Sequence, residues 1–197
     1  MSALPEAGAT PVAFDPVADA FIAQGERPAG LLPVDVSALS PYQRSLLVID
    51  GTVTRFIEAY WLEAVRVRRI AQEELRLAAD ERWLGLVAGT PVIRRQVLLL
   101  GRDSGRLFAW ADTLLAVARL QGGLRQGLER ADGGLGRILI DTGAETRREG
   151  LWCGCEQPRE LPAAVAGLHA GRWLVRSYRV IAQGQALMRI TERFPLG

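Results

Sequence analysis

The sequence has no lysine and only one histidine. All 24 basic residues are arginines, and this excludes pyridoxal-phosphate chemistry through an internal lysine Schiff base. The single histidine, His169, argues against a histidine-rich metal site and against a histidine-based catalytic triad. We predict a solvated or helix-capping role for His169. We therefore expect no metal and no organic cofactor.

Cysteine is almost as scarce, with Cys153 and Cys155 forming a Cys-x-Cys pair. The spacing is too tight for an ordinary disulfide, and no further cysteine exists to complete a zinc site. We predict free thiols in a reducing compartment. The first 11 residues lack the basic start and apolar core of a signal peptide, and we expect them to be loose. No apolar run is long enough to cross a membrane, so we expect a cytoplasmic protein.

The charge and length of the chain narrow its class further. The net charge is +2 and the arginines are scattered, so no nucleic-acid partner is indicated. With 197 residues, nearly half of them hydrophobic, the chain fits a single domain over residues 1–197. Glycine pairs at 122–123 and 133–134 do not follow a strand in a βαβ unit, which argues against dinucleotide binding. We expect a monomer, with a dimer as the alternative.

Several helices are predicted from capping residues and apolar spacing. Asp15 and Pro16 open a first helix, Ser40 and Pro41 a second, and Thr52 caps a third. The predicted helices cover residues 16–24, 41–49, 53–62, 114–130 and 161–168, with a short apolar turn or helix at 135–140.

About six strands are predicted, and most of them are linked as hairpins. They cover residues 65–70, 92–100, 106–112, 146–152, 173–181 and 187–194, with a helical turn or loop at 72–89. Antiparallel hairpins with helices gathered between them are typical of an α+β fold. We predict a six-stranded antiparallel sheet with helices on one face.

The last predicted strand contains one unexpected charge. Residues 188, 190, 192 and 194 share one face, which is apolar except for Glu192. The other face, with residues 187, 189, 191 and 193, is mostly polar, and we predict that it is exposed to solvent. A carboxylate on the core side of a strand is unfavourable unless it is paired or takes part in chemistry.

A second such charge lies on the strand at residues 92–100. Arg95 shares its face with the apolar Ile93, Val97 and Leu99. Two interpretations remain open from the pattern alone. Arg95 and Glu192 form a buried ion pair with each other, or they line a cavity and hold the two ends of a small anionic ligand.

Five motifs occur in an order that is typical of one family. They are Asp-Gly-Thr-Val-Thr-Arg-Phe at 50–56, the Arg95 strand, Gly-Leu-Gly-Arg-Ile-Leu at 134–139, Arg-Ser-Tyr-Arg-Val-Ile at 176–181 and Ile-Thr-Glu-Arg-Phe at 190–194. From about residue 40 to the end, the sequence resembles the chorismate pyruvate-lyase family. It is most similar to the branch found in actinobacterial phenolic-glycolipid pathways.

The resemblance implies an enzyme that makes 4-hydroxybenzoate and pyruvate from chorismate without metal or cofactor. It also implies a six-stranded antiparallel sheet with helices on one side and a buried ligand site. By the same resemblance Arg95 binds the ring carboxylate, and Leu135 adds a backbone amide, with Gly134 where the family usually has proline. Glu192 contacts the hydroxyl end. Val53 lines the pocket where the family has methionine.

The chemistry of chorismate suggests a role for each charged residue. Arg95 would clamp the ring carboxylate with two hydrogen bonds, and Glu192 would act as general base or proton relay. A second cation should meet the enolpyruvyl carboxylate, and Arg176 and Arg179 are the candidates, although solvated strand residues are the alternative for at least one of them. We predict a packing role for Tyr178.

Two other functions remain open. The first is a non-catalytic domain that senses a small aromatic acid, as in bacterial transcription regulators. Such regulators carry a DNA-binding module, and residues 1–40 show neither a helix-turn-helix pattern nor a basic stripe. The second is a related enzyme that acts on a chorismate derivative.

Overall fold

A computed structural model describes residues 14–120, 123–129 and 134–196. Its centre is one antiparallel sheet of six strands in the order β1-β2-β3-β6-β5-β4. The strands are β1 (Val65–Arg76), β2 (Pro91–Gly101), β3 (Leu107–Ala116), β4 (Thr146–Glu156), β5 (Arg172–Ala182) and β6 (Gln185–Leu196). The predicted α+β class with an antiparallel six-stranded sheet is confirmed.

Six helices accompany the sheet in the described residues. They are α1 (Pro16–Ala20), α2 (Pro41–Val48), α3 (Val53–Trp61), α4 (Gly123–Glu129), α5 (Leu135–Asp141) and α6 (Ala163–Ala166). Short 3-10 turns lie at Gln24–Glu26, Val36–Ala38 and Val117–Arg119. Ser40 caps α2 as predicted, because its hydroxyl accepts from the Gln43 amide while the Gln43 side chain accepts from the Ser40 amide.

Strands β5 and β6 form an antiparallel hairpin with a two-residue turn. Gln183 and Gly184 have φ angles of 51° and 75°, the left-handed conformation that short hairpin turns of this kind require. The turn fixes the register, so that Arg176 lies opposite Glu192. This register brings two charged residues of the sequence together inside the fold.

The first helix is shorter than predicted. It ends at Ala20, because the chain then turns extended and joins the edge of the sheet. Phe21 forms a parallel bridge with Gly150, and the Ile22 amide donates to the Gly150 carbonyl at 3.0 Å. A Cβ at Gly150 would overlap the Ala20 carbonyl, so the glycine permits this close approach.

The helix predicted at 114–130 is wrong over its first part. Leu114 and Leu115 end β3 and pair with Arg94 and Ile93 of β2, so the ladder continues where helical spacing was inferred. Among the described residues of this stretch, 123–129 are α-helical and Val117–Arg119 form a 3-10 turn. Residues 1–11, Gly122 and Gly133 lie outside the described residues.

Three smaller expectations also differ from the structure. The segment 72–76, predicted as turn or loop, extends β1 to Arg76. Thr52 precedes α3 as predicted but makes no capping hydrogen bond through its side chain. The helix predicted at 161–168 has only four residues.

The core lies on both faces of the sheet. Ile93 and Leu99 of β2 face α2, α3, α4 and α5, whereas the alternate residues Leu98 and Leu100 pack with Val165 of α6. The face of β6 that was predicted to be exposed to solvent is therefore partly buried. Leu187 is 2% exposed, and the Arg193 guanidinium lies 4.5 Å from the centroid of the Trp110 ring. The pattern of one strand does not reveal what packs on its second face.

Candidate active site

A cavity of about 70 Å³ lies between the sheet and the N-terminal ends of α3 and α5. Four of the predicted site residues line it: Val53, Arg95, Leu135 and Glu192. The remaining wall is mainly apolar and includes Val67, Val97, Leu99, Leu139, Val180 and Ile190. A mostly apolar cavity with few convergent charged groups is typical of a small-molecule site.

Arg95 lies at one side of this cavity and is 1% exposed. Its Nη1 donates to Gln72 Oε1 at 2.7 Å and to the Leu128 carbonyl at 3.4 Å. Burial, and then the positive charge of Arg69, lower the pKa of Arg95. A carboxylate ligand in the cavity would favour the charged guanidinium and offset both effects.

Glu192 is 4% exposed, and both of its carboxylate oxygens accept hydrogen bonds. Arg176 Nε donates to Oε2 at 2.7 Å, and the Tyr178 hydroxyl donates to Oε1 at 3.2 Å. The ion-pair partner of Glu192 is thus Arg176, and the interpretation in which Glu192 pairs with Arg95 is wrong. Tyr178 is more than packing, because it lines the cavity and orients the carboxylate.

The ionisation of the two groups around Glu192 supports this arrangement. Burial, and then the negative charge of Glu192, raise the pKa of Tyr178, so its hydroxyl remains a donor. Burial disfavours the charge of Arg176, but Glu192 and Tyr178 together outweigh it, so the pKa of Arg176 is raised. Both effects keep a protonated donor on each oxygen of Glu192.

The two arginines proposed as the second cation lie on opposite faces of β5. Arg176 faces Glu192, and its Nη1 also donates to the Ile49 carbonyl at 3.0 Å. Arg179, three residues later, points away from the cavity and pairs with Glu149 at 2.6 Å. The structure thus places Arg179 outside the site, and its predicted role as a substrate ligand is wrong.

Arg148 of β4, which the sequence pattern did not identify, lines the same cavity. A signal was present, because Arg147 and Arg148 are consecutive in a strand and must point to opposite faces. The Arg147 side chain is 65% exposed, whereas that of Arg148 is 19% exposed. Register in the sheet was needed to decide which of the two turns inward.

The N-terminal ends of α3 and α5 both border the cavity. Val53 and Leu135 are the first residues of the two helices. A Cβ at Gly136 would lie 2.8 Å from Thr52 Cγ2, and one at Gly134 would lie 3.2 Å from Val67 Cγ2. Glycine at these two positions lets α5 approach both α3 and β1. Leu135 and Val53 both line the cavity, and their contacts with a substrate stay a prediction.

The described residues contain no group of three or more His, Cys, Asp and Glu side chains arranged to hold a metal ion. Cys153 and Cys155 are free thiols, as predicted, and both are buried in β4 away from the cavity. His169 follows α6, with Nε2 at 3.0 Å from the Arg172 carbonyl and its ring edge-on to Trp173. Among the described helices, none has the length and apolarity needed to span a bilayer.

Comparison with known proteins shows which family the chain belongs to. The sequence profile of the family described as "Chorismate pyruvate-lyase Rv2949c-like" matches residues 47–197. A protein of Mycobacterium tuberculosis named chorismate pyruvate-lyase is 32% identical over 171 residues, which cover 81% of this chain and 82% of the relative. A protein of the same name from Mycobacterium leprae is 30% identical over 159 residues, covering 77% and 72%. The chain therefore belongs to the chorismate pyruvate-lyase family.

Among solved structures, the ligand-binding domain of a putative GntR-family transcriptional regulator from Bordetella bronchiseptica has a TM-score of 0.50 at 18% identity, covering 66% of this chain and 85% of that one. The effector domain of PhnF from Mycobacterium smegmatis superposes with a TM-score of 0.57 at 19% identity, covering 83% of this chain and 91% of that one. A structure of PhnF from the same organism gives a TM-score of 0.58 at 19% identity, with coverage of 75% and 64%. At this identity the likeness concerns the fold alone.

Proposed function

We propose that this protein converts chorismate into 4-hydroxybenzoate and pyruvate. The observation that carries the proposal is the cavity itself. Arg95 and Glu192, two buried charged residues on different strands, line one mainly apolar cavity. Membership of the chorismate pyruvate-lyase family supports the same reaction.

The charged residues suggest how the substrate lies. Arg95, with the backbone amide of Leu135, would bind the ring carboxylate, because guanidinium and carboxylate groups match in a bidentate pair. The apolar walls would contact the ring. Glu192 would meet the hydroxyl group at the opposite end, and Val53 would border the ring at the start of α3.

The reaction is an elimination that makes the ring aromatic. The hydroxyl-bearing carbon loses its proton, the neighbouring carbon–oxygen bond breaks, and its electron pair leaves with the enolpyruvate oxygen. Protonation of the enol at its methylene carbon then gives pyruvate, so that atoms and charge balance. Glu192 would accept the ring proton or relay it, while Tyr178 and Arg176 hold its carboxylate in place.

No oxidant or reductant enters this balance, and we propose that no metal or organic cofactor is needed. We also propose a cytoplasmic enzyme, because the two thiols are free. A monomer that binds no nucleic acid remains our expectation.

A second candidate function is ligand sensing without turnover. It is favoured by the fold shared with the PhnF effector domain. Such a domain would bind 4-hydroxybenzoate or a related acid in the same cavity and leave chorismate unchanged. A third candidate is the same elimination on isochorismate or on aminodeoxychorismate.

Incubation of the purified protein with chorismate separates these candidates. Chromatography should detect 4-hydroxybenzoate, and a lactate dehydrogenase assay should detect one pyruvate per turnover. Isochorismate and aminodeoxychorismate should run in parallel with Glu192→Gln as the inactive control. Binding without either product would favour sensing, and faster turnover of another substrate would reassign the reaction.

A further inference from the structure

A second cavity lies beside the first, on the far side of Arg148 and Tyr178. It encloses about 170 Å³ between the end of α1, the end of α2 and strands β4 and β5. We call it the outer compartment; the residues that matter to it are Phe21, Leu47, Asp50, Arg148, Arg176 and Tyr178. Arg148 and Tyr178 line both cavities, so the two cavities adjoin at these side chains.

Two buried N–H groups of this compartment lack an acceptor among the described residues. They are Nε of Arg148 and Nη2 of Arg176. The Arg176 side chain is 3% exposed, and its other nitrogens already donate to Glu192 and to the Ile49 carbonyl. A buried donor without an acceptor is unfavourable, so two of them around one small cavity indicate a missing acceptor.

The charge of the compartment indicates that this acceptor is an anion. Arg176 and Glu192 neutralise each other, which leaves Arg148 as the uncompensated charge. Its nearest carboxylate, Asp50, lies 3.9 Å from Nη1 and its side chain is 77% exposed. Such a long, solvated ion pair does little to compensate the charge of Arg148. A small carboxylate bound between the two guanidinium groups would accept from both.

We propose that the outer compartment binds the three-carbon carboxylate of the reaction: the enolpyruvyl group of the substrate and then pyruvate, with Arg148 as its main ligand. The inference rests on the proposed function. In chorismate the enolpyruvyl ether is attached next to the hydroxyl-bearing carbon, and that carbon lies at Glu192. Arg176 and Tyr178, which hold Glu192, both line the outer compartment.

This placement also gives Arg148 a role in the chemical step. The electron pair of the broken carbon–oxygen bond leaves with the enolpyruvate, whose negative charge grows on the side of Arg148. A fixed cation in a site with little water stabilises such charge more in the transition state than in the ground state. The aromatic product has only the ring carboxylate and would depend on Arg95 instead.

The test compares Arg148→Gln with Arg147→Gln. Arg147 is the matched control, because it neighbours Arg148 on β4 but is exposed and pairs with Glu149. For Arg148→Gln we expect kcat/KM for chorismate to fall about 10- to 100-fold, the loss expected for a charge-assisted hydrogen bond. The Kd for 4-hydroxybenzoate should stay within about twofold of wild type, and Arg147→Gln should change neither value. Equal losses for substrate and product, or no loss, would overturn the proposal.

A second measurement needs no variant and no turnover. Pyruvate is titrated by calorimetry into wild-type protein saturated with 4-hydroxybenzoate. Binding to the loaded protein supports a separate carboxylate subsite, whereas displacement of 4-hydroxybenzoate, or no binding, contradicts it. If wild type does not convert chorismate, the proposed function fails by itself, and this titration still decides whether the subsite exists.

Discussion

Glu192 is bound by Arg176 at 2.7 Å and not by Arg95, although Arg95 and Glu192 line the same cavity. Arg176 therefore neutralises the carboxylate from within the sheet, on the neighbouring strand. Arg95 reaches the cavity from β2, which lies two strands from β6 on the side opposite β5. The charges of Arg95 and Glu192 thus lie on different strands, with another strand between them. This arrangement is the one needed to bind a ligand between the two charges.

The Arg176–Glu192 pair makes a stability prediction. Removal of one member leaves the other as a buried unpaired charge, which costs about 3–5 kcal/mol. We therefore expect both Arg176→Met and Glu192→Gln to lower the free energy of unfolding by amounts of this order. The double variant should regain much of the loss, giving a coupling energy of about 2 kcal/mol or more in urea denaturation.

The control is a second double-mutant cycle, which combines Arg95→Met with Glu192→Gln. We expect a smaller coupling energy there, because these two residues do not form an ion pair with each other. A larger coupling for Arg95 than for Arg176 would contradict the pairing described above.

Arg95 makes a separate prediction about ligand binding. Arg95→Met should raise the Kd for 4-hydroxybenzoate about 10- to 100-fold, the equivalent of about 1.5–3 kcal/mol for a lost charge-assisted hydrogen bond. Thermal stability without ligand should be unchanged or higher, since burial disfavours the charge and lowers the pKa of Arg95.

Arg94→Met is the matched control, because Arg94 is the next residue of β2 and points to the other face. Its guanidinium pairs with Asp112 at 2.7 Å, and its side chain is 48% exposed. This variant should bind 4-hydroxybenzoate as wild type does. Calorimetry measures both affinities, and similar losses for the two variants would show that charge at a distance, and not contact, explains the effect.

Much of the site was predictable because a strand has a period of two. That period alone identified Arg95 and Glu192 as charges on apolar faces, and both are buried and line the cavity. The positions of Leu135 and Val53 came from the resemblance. Helical caps such as Ser40 were equally local, since the capping box needs only residues three apart.

The parts that could not be predicted depend on the pairing between strands. Whether Arg147 or Arg148 turns inward follows from the register of β4 against β5, and the choice of Arg176 over Arg179 follows from the register of β5 against β6. The error at 114–130 has a similar cause. Leu115 is buried and Leu114 is partly buried, so both faces of β3 are at least partly covered there, and consecutive apolar residues then imitate a helix.

The next prediction is that turnover needs no metal ion, and it follows from the scarcity of histidine and the absence of lysine. The elimination needs a base and a cation, and Glu192 and the arginines can provide both. We expect turnover of chorismate to be unchanged after treatment with a chelator and removal of the metal–chelator complex. Loss of activity that a divalent ion restores would refute this expectation and would require ligands that we have not identified.

The last prediction concerns alkaline stability and the thiol of Cys153. Burial raises the pKa of this thiol from 9.0 to about 12, and the side-chain amide of Gln24 opposes the shift only in part. Between these two values an unfolded chain loses the thiol proton while the folded protein keeps it. The unfolded state therefore binds fewer protons, so the free energy of unfolding falls as pH rises from about 9 to about 12.

Cys153→Ala should flatten this fall, because it removes the group that titrates only in the unfolded chain. Tyr178→Phe should flatten it further at higher pH, since the pKa of Tyr178 is also raised by burial. Val175→Ala is the control for lost volume, because Val175 is 2% exposed but does not titrate. Urea denaturation at intervals between pH 8 and pH 11 measures each slope. An unchanged slope in Cys153→Ala would mean that the folded thiol ionises as readily as the unfolded one.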